Sequence, residues 1–186
     1  MYLRPVVILV ALSAVPTFLR AGRRRPLGYG KELKKYRDEV GDATARIDDI
    51  LGAAAETVEA LRHRGIDTDE AVSLLQAHED ELDATATQLE EMLAPEELHG
   101  LHMEYEANLE RTLRGILVVE RGCAITRLPH RPPEDEEPYT YYKRGHNNVT
   151  HARMRMAEIV EVLLNWEPGK PAEATVAARL ERVRKT

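Results

Sequence analysis

Apolar residues recur at intervals of three, four and seven through most of the chain, the spacing of one face of an α-helix. Leu33, Tyr36, Val40, Ala43, Ile47, Ile50, Ala54 and Leu61 form the first seam, packed almost like a coiled coil, and predict a helix from about Lys31 to Arg64. Gly65 follows, where a missing Cβ permits a left-handed cap. Gly41 and Gly52 lie inside this helix, each weakening it or letting a neighbour approach closely. Asp67 with Glu70 three residues on reads as a capping box that restarts the chain as a helix. In that second helix Ala71, Leu75, His78, Leu82, Thr85, Leu89 and Met92 share a face, and it ends near Leu93-Ala94. Pro95 then suits the first turn of a third helix, with Glu96 and Glu97 complementing its dipole. Leu98, Leu101, Tyr105, Leu109, Thr112, Ile116, Val119 and Cys123 carry its seam. Two tight connections between long helices predict antiparallel neighbours.

The pattern fails from Leu128 to Gly145, where four prolines and an acidic run predict an exposed loop. A fourth helix resumes near Asn147, with Val149, Ala152, Met156, Ile159, Leu163 and Trp166 in register. After the break at Glu167 to Pro171, residues Pro171 to Lys185 read as a short basic helix with Val176, Leu180 and Val183 on one side. The fold class is therefore all-α: an antiparallel bundle of about four helices, with an N-terminal hydrophobic helix and a short C-terminal one. The chain divides into a hydrophobic segment at 1–22, a basic linker at 23–30, the bundle at 31–166 with its loop at 128–145, and a tail at 167–186.

Fifteen uncharged residues separate Arg4 from Arg20. As a helix they reach about 22 Å, short of a hydrocarbon core of about 30 Å. Snorkelling by the flanking arginines and local thinning of the bilayer cover that deficit. A cleaved signal peptide and a segment docked on the bundle are alternatives, but a single basic residue before the run and no well-placed cleavage site favour an uncleaved anchor. The expected partner is thus a membrane, held through residues 5–19 and Arg20, Arg23, Arg24 and Arg25, with the bundle on the cytoplasmic side by the positive-inside rule.

Charge sharpens this picture. The net charge of −6 conceals a stretch from Asp38 to Glu110 with 21 acidic residues against Arg46, Arg62 and Arg64, a net of −18. Such a surface repels phosphate backbones, so nucleic acid is excluded as a partner of the bundle. Charged residues make up 31% of the chain and aromatics 5%, which fits long solvated helices and leaves no strand-like alternation. The single cysteine, Cys123, falls in a helical seam and reads as a buried, inert thiol.

Candidate chemistry is thin. Glu96 and His99 form one Glu-x-x-His pair, but helical geometry points them apart and no second pair exists, so no di-iron centre is expected. His78 and His102 fall on or near core faces some eight residues apart along the bundle, roughly 12 Å, too far to share an ion. His78 projects inward midway along its helix and is expected to be the more buried, while His102 lies near a bundle end. His146 and His151 read as capping or exposed residues, and Tyr139, Tyr141 and Tyr142 as aromatics of a mobile loop. No catalytic, cofactor-binding or metal-ligating residues are assigned. The expected role is protein interaction or envelope organisation, against an enzyme or sensor with a polar site near His78 or around His102 and Tyr105.

Pro95-Glu96-Glu97-Leu98, then His102 and Tyr105, after a helix ending Leu89-Glu90-Glu91-Met92-Leu93, resembles a loose family of uncharacterised bacterial membrane-associated helical proteins. In them a helix begins with Pro, followed by a His seven residues on and an aromatic or Leu three further. Ala94 stands here where those proteins carry a first Pro. The resemblance spans about residues 70 to 125 and implies a helical bundle and membrane association, with no activity attached.

Overall fold

The computed structural model describes residues 29–169. The apolar run, most of the basic linker and the C-terminal helix expected from Pro171 lie outside the described residues.

The described residues form four long helices: α1 (Tyr29–Arg62), α2 (Thr68–Glu90), α3 (His99–Thr126) and α4 (Pro138–Asn165). α1 packs against α2 and α4, and α3 closes the ring by packing against the same two. Short connections make successive helices antiparallel, as in an up-down-up-down bundle. The core runs from Leu33 to Trp166 and contains every expected seam residue of α3 and α4. In α1 the seam passes through Leu51 and Val58, and Ile50 is only half-buried. Among the described residues no helix is long and apolar enough to cross a membrane.

The tightest seam joins α3 to α4, and glycine makes it. A Cβ on Gly145 would stand 2.2 Å from Val119 Cγ2 and 2.7 Å from the Gly115 carbonyl oxygen. One on Gly122 would meet Tyr142 Cε1 at 2.7 Å. The two backbones therefore approach closer than any side chain at these positions permits. Gly41 and Gly52 in α1 are less crowded: a Cβ there would meet Leu164 at 3.6 Å and the Arg153 guanidinium at 3.3 Å.

Three helix ends differ from expectation. α1 does close with a left-handed residue, but it is Arg64, at φ 59°, and not Gly65. Gly65 N–H donates to Ala60 C=O at 2.8 Å and Arg64 N–H to Leu61 C=O at 3.1 Å, the paired bonds of a Schellman motif with Gly65 one position past the left-handed one. Pro95 opens a turn, closed by Leu98 N–H on the Pro95 carbonyl at 2.8 Å, and α3 begins only at His99. The expected loop at 128–145 ends at Glu137, where Pro138 stands at the first position of α4. A proline is tolerated there because its missing N–H has no helical partner anyway. The apolar spacing then continues through Tyr142, Gly145 and Val149, all buried. The Asp67 cap holds as expected: its carboxylate accepts from the N–H groups of Asp69 and Glu70 at 2.8 and 2.9 Å, which keeps its pKa below the usual carboxylate range.

Candidate functional site

A buried polar node sits at the end of the bundle where α1 and α3 begin and α2 ends. His102, only 3% exposed, faces Tyr36 across the core, with Tyr36 Oη and His102 Nδ1 3.0 Å apart. Its Nε2 lies 3.2 Å from the Leu89 carbonyl oxygen and 3.2 Å from Glu106 Oε1. A carbonyl can only accept, so Nε2 carries a proton, and whenever it is the ring's one proton Nδ1 accepts from the Tyr36 hydroxyl. Burial, and then the Glu106 carboxylate, push the Tyr36 phenol well above its ordinary pKa, so it remains a donor.

The local sequence explains each part. Leu89 is among the last residues of α2, whose carbonyls lack a helical partner. Met92 N–H satisfies one lone pair of that oxygen at 3.0 Å, and His102 supplies the second bond. Glu106 is four residues beyond His102, on the same face of α3. Both ring nitrogens are thus engaged, and neither is left to take a proton from a substrate. The node ties α1, α2 and α3 together.

Above it lies a groove of about 850 Å³ between α1 and the α2–α3 connection. Tyr29, Tyr36, Met92, Leu93 and Pro95 supply its apolar surface, and Glu32, Glu39, Asp42, Glu91 and Glu96 outnumber Lys35 and Arg46 along its rim. Leu93, at the tip of the connection, is 93% exposed.

The other candidate residues are dispersed. His78 is only half-buried, a correction to its expected place in the core. It points aside because Leu75 and Leu82, on either side of it, take the inward positions. Tyr105 is one turn from His102 but faces α1 and α4, so the two do not form one site. Burial, and then Asp48, raise its pKa well above the ordinary phenol value. Glu96 and His99 are exposed, and among the described residues no three His, Cys, Asp or Glu side chains are placed to hold a metal.

Cys123 is buried, and burial raises its thiol pKa. Nearby, Tyr142 Oη lies 2.8 Å from Thr126 Oγ1, which itself donates to the Gly122 carbonyl at 3.0 Å. The three tyrosines expected in a loop belong to α4. Tyr142 is buried, Tyr141 donates to Asp135 at 3.2 Å, and Tyr139 is exposed beside the Arg62 guanidinium. His151 is exposed, and His146 is half-buried with Nδ1 3.7 Å from Glu59.

Tyr36 and Glu106 were not singled out by their sequence positions. The available signal was a tyrosine in a seam of otherwise aliphatic residues, and a glutamate one turn after a core histidine. No protein-family model, curated protein or solved structure matches this chain.

Proposed function

We propose that the protein is a membrane-tethered docking module whose acidic-rimmed groove binds a basic, partly apolar segment of another protein. The groove beside Leu93 carries this reading. A nearly fully exposed leucine adjoins an apolar floor, and carboxylates dominate the rim. Apolar area supplies affinity, and the rim selects for positive charge. Tethering by the run at residues 5–19 holds the groove near the membrane surface, on the cytoplasmic side by the charge rule. Among the described residues the core runs from Leu33 to Trp166, and the apolar run at residues 5–19 has the composition of a tether. The rival reading, an enzyme or sensor built on His102, gains nothing from a ring whose two nitrogens are both engaged.

A photo-activated cross-linker at Leu93 of the membrane-embedded full-length protein tests this. The expected result is a discrete adduct with another protein that disappears when Glu39, Asp42 and Glu91 are changed to Gln. Adducts unaffected by the rim changes, or confined to the chain's own residues 20–28, contradict it.

A further inference from the structure

A second groove, of about 390 Å³, runs between α1 and α4 over Tyr105. Gly41 and Ala45 on α1 and Ala157 on α4 carry too little side chain to fill the space between the two helices. Leu51, Met156 and Val160 give it apolar walls. Its size falls within the range of small-molecule sites, about 300–1,000 Å³, and such sites combine apolar walls with a few polar groups.

Tyr105 reaches this groove from α3, which lies diagonally across the bundle from α1, so the phenol end of the side chain is the part that arrives there. The residue is 2% exposed, and its hydroxyl has no hydrogen-bond partner among the described residues. Nor is that oxygen one of the partnerless atoms sealed from solvent, so what is accessible of it opens on the groove. Asp48, in the groove wall, lies within electrostatic reach of the phenol and places its oxygen on that side. Burial, and then Asp48, keep the phenol protonated, so it is a donor without an acceptor. Buried donors are almost always paired, and an acceptor brought to this one recovers the free energy that its isolation costs.

We propose that this groove binds a small uncharged molecule with an apolar body and one oxygen acceptor, of the ketone, ester or amide class, whose oxygen accepts a hydrogen bond from Tyr105 Oη. The other polar groups of the lining already have partners. Thr44 donates to the Gly41 carbonyl at 3.1 Å, and Asn165 to the Glu161 carbonyl at 2.9 Å. Arg153 holds the Asp48 carboxylate at 2.7 and 2.9 Å, with Asp49 and Glu56 also within its electrostatic reach. Three carboxylates around one guanidinium repel an anionic ligand. An ammonium group would be desolvated against apolar walls, with Asp48 already committed to Arg153. An uncharged acceptor meets neither cost.

Methionine methyl NMR of the full-length protein tests the site, with acetophenone as the probe. Met156 lines this groove, Met92 lines the first one, and Met103 and Met154 are exposed. Acetophenone should shift the Met156 signal saturably and leave the other three in place. α-Methylstyrene has the same shape with CH2 where the ketone has oxygen. It should bind about tenfold more weakly, the worth of one hydrogen bond of about 1.4 kcal/mol. Benzoate should leave Met156 unshifted. Tyr105→Phe should abolish the preference for the ketone without lowering the melting temperature, because the hydroxyl it removes bonds nothing in the fold. Ala157→Trp, at an exposed position, should fill the groove mouth and remove the Met156 response in a normally folded chain. An unshifted Met156, uniform shifts of all four methionines, equal binding of ketone and hydrocarbon, or tighter binding of benzoate would each overturn the inference. So would an unaltered preference in Tyr105→Phe, or a marked destabilisation by it, which would place the hydroxyl's partner inside the protein.

Discussion

Tyr36 on α1 and His102 on α3, 66 positions apart in sequence, meet through one buried contact of 3.0 Å between the phenol oxygen and Nδ1. Tyr36→Phe keeps the ring packing and removes only the donor, leaving a buried acceptor unpaired. The expected cost is about 1–3 kcal/mol. His102→Leu should also destabilise, because Tyr36 loses its acceptor and the Leu89 carbonyl one of its two donors. In a double-mutant cycle by denaturant melts, the two changes should couple by about 1 kcal/mol. Additive effects would mean that the contact contributes nothing.

Glycine substitutions on α1 and α4 should have opposite signs. Gly145→Ala places a methyl 2.2 Å from Val119 and 2.7 Å from the Gly115 carbonyl, and neither helix can yield without repacking. A loss of about 1–3 kcal/mol is expected despite the better helix propensity of Ala. Gly41→Ala meets only Leu164 at 3.6 Å and should stabilise by about 0.5–1 kcal/mol. Thermal melts of the two variants decide it.

The left-handed residue of the α1–α2 turn is Arg64. Arg64→Gly removes the Cβ clash of that conformation, and the flexibility Gly adds to the unfolded chain offsets part of the gain. A net stabilisation of about 0.5–1 kcal/mol is expected, read from the denaturation midpoint. Gly65→Ala should not produce a comparable gain, since a Cβ there meets the Ala60 carbonyl oxygen at 3.4 Å.

Glu79 on α2 and Glu120 on α3 are two half-buried carboxylates, and Glu79 lies within electrostatic reach of Glu120. Burial raises the pKa of Glu79 first, with Asp83 and Asp80 adding to it, and burial followed by Glu79 raises that of Glu120. The folded state therefore holds these protons more tightly than the unfolded chain. Stability should fall as pH rises from the unfolded carboxylate value of about 4.3 through the raised folded values. Glu79→Gln should stabilise at pH 7, by no more than about 1 kcal/mol because both groups are partly solvated. The gain should vanish near pH 4. Urea melts at pH 4 and pH 7 supply the comparison, and a loss of stability at pH 7 would contradict this account.

Much of this architecture is legible in the sequence because helical packing repeats a local rule. The α3 seam from Leu98 to Cys123 and the α4 seam from Val149 to Trp166 need only their spacing. What escapes is set by partners distant along the chain. Gly115 and Gly122 interrupt no seam and Gly145 falls in the expected loop, so their role appears only when the helix opposite each is known. Pro138 looks like part of a loop because the prolines before it mask its fitness for a first turn. His78 falls in its seam and His102 only beside one, so spacing alone favours His78 as the buried histidine. Only the arrival of Tyr36 and the Leu89 carbonyl makes His102 the buried one. Both grooves lie between helices, so no single stretch of sequence contains either.

We propose that the residues 29–169 bundle folds by itself and that the apolar segment before it attaches the protein to a membrane. Removing residues 1–19 and comparing the product with the full chain tests it directly, by membrane flotation together with circular dichroism. The shortened protein should leave the membrane fraction and keep its helical signal and a cooperative melt. Loss of helix, or aggregation on truncation, would show that the apolar segment is part of the fold. Persistent flotation would show that the attachment lies elsewhere.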